Sequence, residues 1–168
     1  MEEIRNPLIF DLSTEGLEPA KHRIVGITCK SMKEEQIFAS RNEREALVAF
    51  WEYVKANSFD KLIGFNSDEF DVPMLIIRSM KYKIPMEHIA DRHLDLRKVL
   101  FFGGERKKGT LKEFGELLGV KNDDHGYGKI HMYLLWSRPD LPNIRDCLLG
   151  DVRITWALFE HAKEAQII

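Results

Sequence analysis

A short apolar run near the start of the chain, residues 7–10, ends in an acid, Asp11. Such a run is typical of a buried strand, so the acid follows directly on the interior of the fold. Burying an ionised carboxylate without a partner consumes free energy comparable to the whole net stability of a domain. Asp11 therefore needs a metal ion, a basic group or a hydrogen-bond network at the end of this strand.

Strand patterns and helix patterns alternate along the rest of the chain. Strands are predicted at 8–12, 23–30, 35–39, 61–65 and 93–96. Helices are predicted over 42–57, near Pro73, between Thr110 and Gly119, over 132–136 and over 143–162. Short connections favour antiparallel pairing of the first three strands. The order predicts an α/β fold.

Length, charge and cysteine content limit the kinds of protein that this chain can be. A length of 168 residues predicts one domain over 1–168. The net charge of −2 indicates no strong basic field, which argues only weakly against a nucleic-acid binder, because an acidic metal site offsets a basic groove. Cys29 and Cys147 match no zinc or redox spacing. Because no signal peptide or membrane-length apolar run is evident, we expect a cytoplasmic protein with no membrane partner.

Three aspartates occupy apolar settings. Ser13 shares a strand face with Asp11, because side chains two residues apart on a strand point the same way. Asp71 precedes Pro73 at a predicted helix start, where a simple N-cap is the alternative. Asp151 falls on the apolar stripe of the last helix. One pair of divalent cations satisfies all three acids, whereas separate structural roles require a partner for each.

The stretches around these aspartates carry a family resemblance. Residues 10–17 read Phe-Asp-Leu-Ser-Thr-Glu-Gly-Leu, residues 64–75 read Gly-Phe-Asn-Ser-Asp-Glu-Phe-Asp-Val-Pro-Met-Leu, and residues 147–151 read Cys-Leu-Leu-Gly-Asp. They resemble the motifs Phe-Asp-Ile-Glu-Thr-x-Gly-Leu, Gly-Tyr-Asn-(x)₄-Phe-Asp-x-Pro-Tyr-Leu and Tyr-x-x-x-Asp of the DEDD 3′-5′ exonucleases. The closest likeness is to the exonuclease domain of family B DNA polymerases, over nearly the whole chain. It implies a ribonuclease H-like fold, with a mixed five-stranded sheet of order 3-2-1-4-5 flanked by helices.

The resemblance also implies a metal-dependent hydrolase with a two-metal site for Mg²⁺ or Mn²⁺. In that family one cation activates water and the other steadies the leaving 3′ oxygen. Asp11 would bridge both metals, Asp151 would hold the metal on the nucleophile side, and Asp71 would bind the second metal directly or through water.

The implied substrate is the 3′ end of single-stranded DNA or RNA. Asn66 and Phe70 would line the pocket for the 3′-terminal nucleotide. Thr14 would contact the sugar, and Leu17 would wedge against the last bases. The alternatives are local ones: turn residues at Asn66 and Thr14, and core residues at Phe70 and Leu17.

Two catalytic positions depart from the family pattern. Ser13 stands where the family has Glu, and Cys147 stands where it has the Tyr that orients the attacking water. A hydroxyl is a poorer ligand for a hard dication than a carboxylate, and a thiol is a weak hydrogen-bond donor. Four other acids are candidates for compensation: Glu15, Asp68, Glu69 and Asp146. The sequence therefore leaves open a weak exonuclease, an inactive nucleic-acid-binding or protein-interaction module on the same fold, and an unrelated α/β domain.

Two further clusters of charged or histidine residues are either functional or simply exposed to solvent. The basic run 106–108 could touch phosphates or form an exposed loop. Asp123, Asp124, His125 and His131 lie in a Gly-rich setting that favours an exposed turn over a metal site.

Overall fold

A computed structural model describes residues 3–104, 108–120 and 128–168. The strands are β1 (Pro7–Thr14), β2 (Ile24–Ser31), β3 (Glu35–Phe38), β4 (Lys61–Gly64) and β5 (His93–Asp95). They form one sheet of order β3-β2-β1-β4-β5. β1 pairs antiparallel with β2, and β2 with β3, while β1–β4 and β4–β5 are parallel. The predicted α/β class and the mixed five-stranded order are thus confirmed.

Helices cover both faces of the sheet. They are α1 (Glu43–Asn57), α2 (Asp71–Lys81), α3 (Leu96–Leu100), α4 (Leu111–Leu117), α5 (Gly128–Ser137) and α6 (Ile144–Glu164). Helix α1 begins at the cap Asn42, whose side chain accepts from the Arg44 N–H, and α4 begins at a full capping box of Thr110 and Glu113. Each of these two helices therefore begins at a side-chain cap.

The central strand β1 contributes to two hydrophobic cores, one on each face. Leu8, Phe10 and Leu12 pack with apolar residues of α1 and α2. Ile9, on the other face, packs with residues of α6 that include Val152. Because alternate strand residues point to opposite faces, Asp11 and Ser13 lie on the face of Ile9 and α6.

Two helices differ from the sequence expectation. Helix α3 was not predicted; it has five residues and is capped by Asp95, whose side chain accepts from the Lys98 N–H. Helix α5 begins at Gly128 rather than at Met132. Such short helices derive most of their stability from tertiary packing, which local periodicity does not report.

In the parts of the chain that the structure describes, no helix is both long and apolar enough to cross a membrane.

Candidate active site

The first predicted residues of the site lie at the carboxyl end of β1. Asp11 and Ser13 share one face and are both half-buried, whereas Leu12 between them points into the opposite core. The register with β2 shifts between Ser13 and Thr14, so the strand leaves regular pairing just beyond these two residues. Such irregularities occur where a strand re-aims side chains near a site.

Helix α6 brings Asp151 to the same place. Asp11, Ser13, Thr14 and Asp151 line one cleft of about 350 Å³. Leu12, Leu148, Gly128 and Lys129 complete its lining among the described residues. The structure thus brings together two of the three predicted metal ligands, although they are 140 residues apart in the chain.

Asp71 contacts the backbone of the strand that carries Asp11. It is the first residue of α2 and is 4% exposed, and its Oδ1 accepts a hydrogen bond from the Leu12 N–H at 3.1 Å. Burial, together with the charges of Asp95 and Asp151, raises the pKa of Asp71 to about 7, while the Leu12 hydrogen bond acts in the opposite direction. The N-cap position belongs to Phe70, so Asp71 is a cross-link between α2 and β1 rather than a helix cap.

The loop that precedes Asp71 is held by a residue that the motif analysis missed. Asp95, 4% exposed at the end of β5, accepts hydrogen bonds from the N–H groups of Asn66 at 3.0 Å and Asp68 at 3.1 Å. Asn66 has a φ of 62°, and its side-chain oxygen accepts from Arg97 at 3.3 Å. Asp95 falls within the predicted strand 93–96, but no motif in the sequence signals this role.

A second network holds the same loop. The Ser67 hydroxyl lies 2.9 Å from His93 Nε2, and His93 Nδ1 lies 3.0 Å from Asp68. Burial lowers the pKa of His93, against the opposing effect of Asp68 and Asp95. Ser67 is 0% exposed, so it has no access to a substrate and is not a nucleophile. The Ser67–His93–Asp68 network therefore fixes the position of the loop.

The four acids that could compensate for Ser13 and Cys147 lie outside the described lining of the cleft. Glu15 accepts hydrogen bonds from Arg23 at 2.7 Å and from Tyr133 at 3.1 Å, and the bond from Arg23 lowers the pKa of Glu15. Asp146 pairs with Arg153 at 3.0 Å. Asp68 pairs with His93 and with Lys98, and Glu69 is exposed. None of the four is a described lining residue of the cleft of Asp11 and Asp151.

Of the remaining predicted residues, only some are among the described lining residues of the cleft. Thr14 lines it and donates a hydrogen bond to the Gly16 carbonyl at 2.9 Å. Leu17 is 78% exposed, so the alternative reading of Leu17 as a core residue is wrong. Phe70 packs against the core beside α2, and Cys147 is half-buried on α6.

The set of metal donors is smaller than the family pattern requires. Among the described residues, no group of three or more His, Cys, Asp or Glu side chains is arranged to hold a metal ion. Asp11 and Asp151 share the cleft, Asp71 accepts from the Leu12 N–H and is not among the described lining residues, and Ser13 is neutral. Two carboxylates are a sufficient protein contribution for one Mg²⁺, which is commonly bound by one or two carboxylates together with water and substrate phosphates.

Some predicted residues lie outside the described part of the chain. These are Arg106 and Lys107 of the basic run, and Asp123, Asp124 and His125 of the acidic and histidine cluster.

Comparison with known proteins identifies the family. The model of the RNase H superfamily matches residues 8–162, and the chain belongs to that superfamily. An uncharacterised protein of Methanocaldococcus jannaschii is 31% identical over 163 residues, which are 90% of this chain and 92% of that protein. A DNA polymerase of Archaeoglobus fulgidus is 34% identical over 171 residues, which are 90% of this chain but 22% of the polymerase.

A solved structure gives the same result for the fold. The family B DNA polymerase of Pyrobaculum calidifontis superposes with a TM-score of 0.71 at 22% identity, over 96% of this chain and 25% of that chain. The predicted resemblance to family B polymerases is therefore confirmed at the level of family and fold. The chain spans about a quarter of the length of the polymerases that it matches.

Proposed function

We propose that this chain acts on the 3′ end of single-stranded DNA or RNA as a metal-dependent 3′-5′ exonuclease of low activity. The observation that carries the proposal is the cleft in which Asp11 of β1 and Asp151 of α6 meet, with burial and the charges of Asp95 and Asp151 raising the pKa of Asp71. The three acids come from three separate motifs. Their convergence at the carboxyl edge of β1 is what a phosphodiesterase of the RNase H superfamily requires.

A divalent cation fits the cleft. Asp11 and Asp151 would hold it, and Asp71 would act through water or by positioning Leu12 and the end of β1. The cation supplies positive charge that polarises the phosphate and lowers the pKa of a bound water. The two-metal site that the resemblance implies would be one carboxylate short in this chain, because Ser13 stands in place of Glu.

The other residues bind and orient the substrate. Asn66 is held at its position by Asp95 and Arg97, and it presents a polar side chain at the loop before α2. Thr14 faces the cleft, and the exposed Leu17 is available to pack against a base. In hydrolysis, the oxygen of a water molecule forms a bond to the phosphorus, and the bond between the phosphorus and the 3′ oxygen of the penultimate nucleotide breaks. That oxygen takes a proton, and a nucleoside 5′-phosphate leaves.

A second candidate function is an inactive module that binds 3′ ends or a protein. It is favoured by Ser13 and Cys147, and by the pairing of Glu15 with Arg23. Each missing catalytic group lowers the rate by about 10²–10⁴. Two such losses are enough to turn an exonuclease into a binding protein.

The test is incubation with 5′-labelled single-stranded DNA and RNA in Mg²⁺ or Mn²⁺. Shortening from the 3′ end that Asp11→Asn and Asp151→Asn both abolish supports the exonuclease. Ser13→Ala should leave the rate nearly unchanged, because a neutral hydroxyl contributes little to binding a hard dication. A 3′-blocked oligonucleotide and a circular single strand are the controls for direction and for internal cleavage.

The outcomes separate the candidates. If the natural chain binds a 3′ end without cutting it in Mg²⁺ or Mn²⁺, the chain is a binding module on the nuclease fold. Absence of both binding and cleavage in every variant contradicts the nucleic-acid proposal altogether.

A further inference from the structure

The cleft of Asp11 and Asp151 is lined by one basic residue, among those described, that the sequence motifs do not include. Lys129, the second residue of α5, lines this cleft beside Ser13 and Thr14. Its side chain is exposed, so it can reach a ligand in the cleft. Among the described lining residues, it is the one Lys or Arg.

The charges in the cleft favour one dication over two. Asp11 and Asp151 contribute two negative charges, and Lys129 contributes one positive charge. Glu15 is bound to Arg23 and Tyr133, and it adds nothing to the described lining. Counting only these three described residues, a single Mg²⁺ gives a net charge of +1, whereas two give +3 before a phosphate enters. Close cations repel each other strongly unless carboxylates separate them.

We propose, on the basis of the nuclease function above, that this site uses one divalent cation and that the Lys129 ammonium replaces the second. Lys129 binds a non-bridging oxygen of the terminal phosphodiester, while Asp11 and Asp151 hold the cation. A lysine ammonium is a compact point charge with three donors, and it is a common ligand of phosphate. This role of Lys129 explains why position 13 is Ser and not Glu. A Glu beside Lys129 would pair with the ammonium and withdraw it from the phosphate.

The first experiment counts bound Mn²⁺ without nucleic acid, by calorimetry and by the paramagnetic resonance signal of free Mn²⁺. We expect one site in the natural chain and one in Ser13→Glu, whose new carboxylate shares the cleft with Lys129. The double variant Ser13→Glu/Lys129→Met should bind two. Lys55→Met, which changes an exposed lysine of α1 outside this cleft, is the matched control and should bind one.

The second experiment measures binding of a 5′-labelled oligothymidylate in EDTA at several salt concentrations. Lys129→Met should weaken binding by on the order of tenfold and reduce the slope of log K against log salt by about 0.7, the value for one phosphate contact on a single strand. Lys129→Arg should retain the slope, and Lys55→Met should leave both quantities unchanged.

The two experiments fail in distinguishable ways. Two Mn²⁺ ions in the natural chain, or one in the double variant, overturn this inference and leave the nuclease proposal intact. An unchanged salt slope in Lys129→Met also overturns it. Absence of Mn²⁺ binding in all variants overturns the inference and the metal-dependent nuclease together. Urea unfolding of each variant verifies that it is folded.

Discussion

The Asp71 carboxylate accepts a hydrogen bond from the backbone N–H of Leu12 at 3.1 Å, which ties the start of α2 to the end of β1. The bond joins residues 59 positions apart and is buried. It places an acid of the second motif against the strand that carries Asp11. The carboxylate thus has a structural role, and this role can be separated from any role in metal binding.

Two replacements of Asp71 test the structural role of its hydrogen bond to the Leu12 N–H. Asp71→Asn keeps an oxygen acceptor for the Leu12 N–H and removes repulsion from Asp95 and Asp151, so its free energy of unfolding should change by less than about 1 kcal/mol. Asp71→Ala leaves a buried N–H without its acceptor and should cost about 1–3 kcal/mol. Urea unfolding measures both. Equal losses in the two variants would show that the hydrogen bond contributes nothing.

Gly64→Ala should disturb the loop that carries Asn66. A Cβ at Gly64 would overlap the side chain of Ser67, which is fully buried and bonded to His93. We expect a loss of about 1–3 kcal/mol in the free energy of unfolding, with weaker binding of a 3′ end. The double variant Gly64→Ala/Ser67→Gly removes the overlap and should recover part of the stability. If it is less stable than Gly64→Ala, steric overlap is not the cause.

Stability at acid pH should depend on Glu35. Arg153, which donates to Glu35 at 2.7 and 2.9 Å, and Lys30 lower the pKa of Glu35 from 4.5 to about 2. A carboxyl with a lowered folded-state pKa contributes stability above its unfolded pKa, and this contribution is lost as pH falls from 4.5 towards 2. The contribution at neutral pH is on the order of 2 kcal/mol.

The measurement is the free energy of unfolding as a function of pH, with Glu35→Gln as the comparison. Other carboxyls titrate in the same range, so the prediction concerns the difference between the two curves. The difference should be largest near neutral pH and should shrink below pH 4.5. A constant difference down to pH 2 would be the contrary result.

The buried pair Glu43–Arg78 should be essential to stability. Glu43 is 3% exposed and accepts from Arg78 at 2.6 and 2.8 Å, from Tyr82 at 2.8 Å and from the Ile24 N–H at 2.7 Å. Glu43→Ala leaves the Arg78 charge buried without its partner and should cost about 3–5 kcal/mol. The double variant Glu43→Leu/Arg78→Met should be more stable than Glu43→Ala, and thermal unfolding compares them. The exposed variant Glu52→Ala on α1 is the control.

Much of the fold follows from local sequence patterns. Strand β1 was predictable from its continuous apolar run, and helices α1 and α6 were predictable because their apolar residues repeat at the period of a helix. The sheet order 3-2-1-4-5 followed from the motif resemblance. Helix α3 and the true start of α5 were not predictable, because tertiary contacts stabilise such short helices.

For the candidate site, the sequence supplied the acids but not their surroundings. Motif spacing marked Asp11, Asp71 and Asp151, and their roles as ligands remain predictions. It gave no indication that Asp95 and His93 hold the loop before α2. Pairing between remote residues depends on how the elements pack, which periodicity does not encode.

The sequence by itself determined which strands are buried, which acids end them, and that a hydroxyl stands at Ser13 in place of a carboxylate. Only the tertiary structure decided the partners of those groups. In the structure, Glu15 pairs with Arg23, Asp71 accepts a hydrogen bond from the Leu12 N–H, and Lys129 lines the cleft of Asp11 and Asp151. The physical reason is that periodicity specifies the face on which a side chain lies, whereas the distance between two charges is set by the packing of whole elements.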